Sequence, residues 1–163
     1  MAFVPASMPS DGTLRVTFVP TFTGKLTEVS AQTAIDLSCY LTQDGFNPGT
    51  DETSVVDSRL CSKQDFEQPG RTSESLELGY VFNTLLTTDD LARSTLKKGT
   101  AGVLVVRWGL DVDDAWAVGQ EYDKYVIKTG VQRKQPPEQN SVLKIMQKAF
   151  ITAAVERDLK LVA

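Results

Sequence analysis

The chain has no histidine among its 163 residues. That removes the commonest general acid–base group and the commonest imidazole metal ligand, leaving any proton-transfer chemistry to carboxylates, lysines or tyrosines. Cysteine is almost as scarce. Cys39 and Cys61 lie 22 residues apart, and two thiols without an imidazole cannot complete a zinc tetrad. Long apolar runs are missing too: "AGVLVV" (101–106) and "AFITAAV" (149–155) fall far short of the roughly 20 residues a bilayer helix needs. No membrane insertion is expected. The opening "MAFVPASMPS" has neither a basic n-region nor an apolar core, so no export signal is expected either. A chain kept in the cytosol would hold both thiols reduced, although the sequence leaves their pairing open. "GTAG" and "PGR" are isolated glycine turns, and nothing approaches a Walker loop or a dinucleotide fingerprint. No cofactor is implied. A net charge of −4 and a pI near 4.9, with no basic patch interleaved with aromatics, argue against gripping nucleic acid by its backbone.

What is present is ordinary globular composition, 41% hydrophobic and 23% charged, enough for one domain over residues 1–163. Residues 1–12, with Pro5, Pro9 and Asp11-Gly12, predict an extended amino-terminal arm. "TLRVTFVP" alternates Leu14, Val16 and Phe18 against Arg15 and Thr17, a half-buried strand. "AIDLSCYL" (34–41) predicts another. Residues 42–75 are polar and punctuated, and predict a long loop that holds at most one short strand. "ESLELGYVF" places Leu76, Leu78, Tyr80 and Phe82 on one face. "TTDDLARSTLKKG" (87–99) predicts one flanking helix, capped at Thr87 or Thr88 and stopped by Gly99, with Leu91, Thr95 and Leu96 inward. "AGVLVVRWGL" predicts a central strand. "EYDKYVIKTGVQRK" alternates Tyr125, Ile127, Thr129 and Val131 against Lys124, Val126 and Lys128. Residues 141–155 fit helix or strand; after "QPPEQN" a return strand is favoured, and "DLKLVA" closes as a short strand or arm. The fold class is mostly β, a sandwich or partly closed barrel with a flanking helix and extended loops.

No catalytic constellation stands out. Cys61 has Arg59 and Lys63 two residues away but no base. Asp65 and Glu67, and the acids of "DVDDAW", lack calcium-loop spacing and read as solvated carboxylates. Trp108 and Trp116 read as packing residues. What remains is a β-domain with an extended arm and a long polar segment, parts suited to touching other subunits.

"LTQDGF", "DSRLCSKQDFEQPGR", "LELGYVFN", "GVLVVRWGLDVDDAW" and "QRKQPPEQNSVLKIMQKAFIT" together resemble the major tail (tail tube) proteins of long-tailed phages of actinobacterial hosts. The likeness runs in order from about residue 36 to residue 155. It implies a β-sandwich or barrel with a flanking helix, assembled as hexameric rings stacked around a tape-measure protein, with viral DNA later passing down the bore. It also implies contacts with tail terminator and tail-tip proteins, assembly in the host cytoplasm and residence in the virion tail. The family brings no catalytic residues. Under that resemblance residues 42–75 form an interface loop, in which Arg59, Lys63, Asp65, Glu67 and Arg71 make charge-assisted contacts to a neighbouring copy, with Leu60 and Phe66 as apolar anchors. An acidic wall also suits a bore that DNA must slide through without being held. The competing readings are the tube of a contractile injection or type VI secretion machine, a small-ligand β-barrel module, and, weakest, an enzyme.

Overall fold

The computed structural model describes residues 2–20 and 24–163. In chain order it holds β1 (Leu14–Val19), α1 (Glu28–Gln32), β2 (Ile35–Asp36), β3 (Leu41–Asp57), β4 (Phe66–Val81), α2 (Leu91–Thr95), β5 (Ala101–Trp108), β6 (Glu121–Lys134), β7 (Lys144–Ile151) and β8 (Glu156–Lys160). The strands make one sheet in the order β2-β1-β5-β6-β7-β4-β3, with β8 paired to β6. All of these pairings are antiparallel. The fold is mostly β, as expected, and the sheet curls into a half-barrel.

β5 lies near the middle and is buried from Gly102 to Arg107. Leu104 and Val106 face a concave core with Val16, Phe18, Leu78, Tyr80, Tyr125 and Ile127. Val103 and Val105 face a second core with Leu26, Ala31, Trp116, Tyr122 and Leu161. A strand covered on both sides needs no polar face, which is why "AGVLVV" reads as an unbroken run.

β6 is the shared partner of three strands, pairing β5 on one side and both β7 and β8 on the other. Its alternation holds through Tyr125, Ile127 and Thr129, all buried. A register shift between Thr129 and Gln132 then reverses it, as a bulge does. Val131, expected inward, is 54% exposed. Gln132 turns in instead, and its side-chain amide donates to the Tyr80 hydroxyl and to the Arg93 and Leu96 carbonyls. Gln147 completes this buried network by accepting from Tyr80 and donating to the Leu96 and Gly130 carbonyls. Burial pushes the Tyr80 phenol up to about 12. The polar cluster ties the short α2 to the sheet.

Four expectations are corrected. Residues 42–75 are not a long loop: β3 and β4 pair from Phe46–Leu78 out to Asp57–Phe66, leaving a connection of residues 58–65 only. The "QPGR" segment lies within β4 rather than at a turn. The helix expected over 87–99 is a 3-10 turn at Thr87–Asp89 followed by Leu91–Thr95, without a side-chain cap at Asp90. Ala92 and Leu96 turn inward while Leu91 is 38% exposed. The strand expected over 34–41 stops at Asp36, whose carboxylate accepts from the backbone N–H and hydroxyl of Ser38 and turns the chain. Residues 141–155 resolve as strand, β7.

Candidate subunit interface

β4 pairs β7 only from Leu76 to Val81. Towards its start, β4 has β3 as its one neighbour, so residues 50–73 form a two-stranded arm. Its side chains from Thr50 to Val56 and from Phe66 to Ser73 are exposed on both faces. Pro48, just inside the root, is tolerated because β3 is an edge strand, and Pro69, in the arm, sits beside a bulge. At that bulge, between Glu52 and Ser54, the Thr53 hydroxyl donates to the Arg71 carbonyl at 3.0 Å and accepts from the Arg71 N–H at 2.8 Å. One hydroxyl thus replaces two ladder partners. A Cβ at Gly70 would come within 2.7 Å of the Thr53 carbonyl oxygen, so the crossing requires glycine there.

Arg59, Leu60, Lys63 and Asp65 all lie in the connection at the tip. Phe66, Glu67 and Arg71 lie on β4, with Phe66 opposite Asp57 and Glu67 opposite Val56. Leu60 is fully exposed, and Phe66, Val55 and Val56 are each more than half exposed. Exposed apolar side chains of that size, grouped on a two-stranded ribbon, are unusual for a surface that stays in water. Arg59 does not project freely: it makes a bidentate pair with Asp57 at 2.6 and 3.0 Å, which raises its pKa. Asp65 accepts from the Ser58 hydroxyl at 2.7 Å. Lys63, Glu67 and Arg71 make no side-chain ion pair among the described residues.

What fixes the arm's root is not legible in the sequence. Arg157 of β8 donates to both carboxylate oxygens of Glu74 at 3.0 Å and reaches the Thr50 hydroxyl at 3.4 Å. The Thr50 hydroxyl in turn donates to Glu74 at 2.7 Å. That hydroxyl, and then Arg157, hold the Glu74 carboxyl below its ordinary range. Thr50 and Arg157 are separated by 107 residues, so no local pattern signals their meeting.

At the same end of the half-barrel, buried Arg107 organises residues 109–120. Its guanidinium donates to the Asp111 carbonyl at 2.6 Å, the Ala115 carbonyl at 3.4 Å and the Gln120 side chain at 3.2 Å, and lies 4.9 Å from the centre of the Trp116 ring. Burial lowers its pKa. Trp116 is therefore a core residue, whereas Trp108 is 53% exposed and donates to Asp123.

Among the described residues no cluster of three metal-ligating side chains occurs, and Cys39 and Cys61 are both free and exposed. No helix there is long and apolar enough to cross a membrane. An open cleft of about 330 Å³ is lined by Leu14, Val16, Leu41, Phe46 and Val112 together with polar residues that include Asp11.

A family model described as phage tail tube protein matches residues 1–163. No curated protein matches the chain. Among solved structures it is similar in fold to a chain in the cryo-EM structure of the anti-feeding prophage (AFP) baseplate, 6-fold symmetrised. That likeness has a TM-score of 0.55 at 12% identity over 96% of both chains.

Proposed function

The chain belongs to the phage tail tube protein family, and from that premise we propose that it forms the wall of a tail tube by closing into six-membered rings that stack into a conduit for viral DNA. The observation that carries this reading beyond family membership is the arm. Residues 50–73 stand off the half-barrel with Leu60, Phe66, Val55 and Val56 exposed, and the outer edge of β3 is unpaired among the described residues. A ribbon with apolar residues and open backbone groups is costly for a lone molecule and productive for one that docks against copies of itself. Arg59, Leu60, Lys63, Asp65, Phe66, Glu67 and Arg71 are proposed as contacts to a neighbouring copy. Asp57 occupies the Arg59 guanidinium, so we assign the polar contacts chiefly to Lys63, Glu67 and Arg71. The role is structural rather than enzymatic. The proposed setting is the virion tail of a long-tailed actinobacterial phage, assembled in the host cytoplasm around a tape-measure protein and bounded by terminator and tip proteins.

A second reading has the likeness to the anti-feeding prophage baseplate chain behind it: the tube of a contractile injection machine. At 12% identity that likeness carries the fold, so the long-tail reading leads. Negative-stain microscopy of the purified chain over a concentration series tests the assembly claim. Rings and tubes that lengthen with concentration are expected. A monomer persisting at millimolar concentration would overturn the proposal.

A further inference from the structure

We propose that successive copies along the tube meet head to tail through opposite charge, the acidic end of the half-barrel on one copy facing the basic end of the next. This inference rests on the tube reading above and names the surfaces that reading would use. Strand direction fixes which residues share an end. β5 runs from Ala101, opposite Lys128, to Val106, opposite Asp123. β7 begins at Lys144, opposite Val81 of β4, with Lys134 opposite Ile145. One end therefore holds residues 109–120 and the start of β6. The other holds α2, the turn into β5, the end of β6 and the start of β7.

Residues 109–123 contain five carboxylates and neither lysine nor arginine. Asp111, Asp113, Asp114 and Glu121 are exposed. Of the cations nearby, Arg107 is buried against carbonyl groups, Arg15 pairs with Asp36 and Lys124 pairs with Glu156. Lys160 faces Glu121 across the β6–β8 ladder. Residues 93–100 and 128–134, by contrast, contain six lysines and arginines and no carboxylate. Lys97, Lys98, Lys128, Arg133 and Lys134 are exposed. Of the carboxylates at that end, Asp90, Glu77 and Glu138 are paired with Arg93, Arg133 and Lys144. Asp89, and Asp44 near Lys144, make no ion pair among the described residues.

A molecule with poles of opposite sign attracts a copy in one orientation and repels it in the reverse. The contact is heterologous: it joins unlike surfaces and propagates without closing on itself, as a stacked tube requires. The arm agrees with this arrangement. β4 runs antiparallel to β7, so the tip at residues 58–65 projects at the acidic end. From there it passes the junction and lands on the copy beyond.

The test is a charge swap, read by pelleting and negative-stain microscopy at low salt. The samples are wild type, Asp113→Lys/Asp114→Lys, Lys97→Glu/Lys98→Glu, and an equimolar mixture of the two variants. Each variant alone is expected to form rings while its pelleted protein falls about tenfold or more. The mixture is expected to regain tubes, because each junction between unlike variants again opposes opposite charges. Rescue by mixing also shows that both variants are folded. Wild-type-like tubes from either variant alone, or a mixture that stays unstacked with both variants folded by circular dichroism, would overturn the inference and leave the tube reading standing. Wild type that makes no tubes at all would overturn that reading and the inference with it.

Discussion

Arg107 shows how one side chain sets the conformation of a whole connection. Its Nη groups donate to the Asp111 and Ala115 carbonyls and to Gln120, while Nε is buried without a partner among the described residues. Removing it therefore leaves those part-buried acceptors without their donor as well as opening space beside Trp116. Arg107→Met keeps much of the volume and loses every donor. It is expected to lower unfolding stability by about 3 kcal/mol and to red-shift Trp116 fluorescence, both measurable in a urea titration. The sequence places Arg107 in an apolar strand run, which is legible. Its burial is not, because its acceptors are backbone carbonyls that exist only once residues 109–120 have turned back. Gln132 and Gln147 escape a periodicity reading for the same kind of reason. One reaches the interior through a bulge, and the other is a polar residue at an inward position whose partners lie on β4, on β6 and at the end of α2.

At the scale of elements, the arm is held at its root and free beyond it. The Arg157–Glu74–Thr50 clasp joins β8 to the base of the β3–β4 ribbon. Arg157→Ala is expected to raise amide hydrogen exchange across residues 50–57 and 66–74 while leaving β5 protection unchanged. Glu74 titrates below its ordinary value of 4.5. The clasp is therefore complete above that ordinary value and is lost as pH falls through the depressed folded pKa. Exchange in the wild-type arm should approach that of Arg157→Ala in acid, and a flat profile down to the onset of global unfolding would contradict the clasp. Strands with one buried face, such as residues 74–82 and 121–129, announce themselves by alternation. The arm does not, because both of its faces meet solvent and neither selects apolar residues. That is why residues 42–75 resemble a loop in sequence and pair as a ribbon in space.

For the whole molecule, the apolar residues at the arm's outer end are dispensable to the monomer and important to the assembly. Leu60→Ser/Phe66→Ser is expected to leave monomer thermal stability within about 0.5 kcal/mol of wild type and to reduce pelleted protein several-fold. Equal losses in both measurements would place these residues in folding instead of docking. The resemblance of residues 36–155 to tail tube proteins was legible in the sequence, and the full-length family match agrees with it. The segregation of charge was only half legible. "DVDDAW" and "KTGVQRK" stand out as an acidic and a basic segment, but strand direction is what sends them to opposite ends.

An arm anchored only at its base also has a length that can change without disturbing the interior. Two residues inserted in each strand beyond the clasp preserve the pleat and carry the tip about 7 Å farther. An odd insertion would turn its outermost side chains to the opposite face. The ribbon is thus a graduated spacer, adjustable in fixed steps, mounted on a body whose own dimensions stay constant.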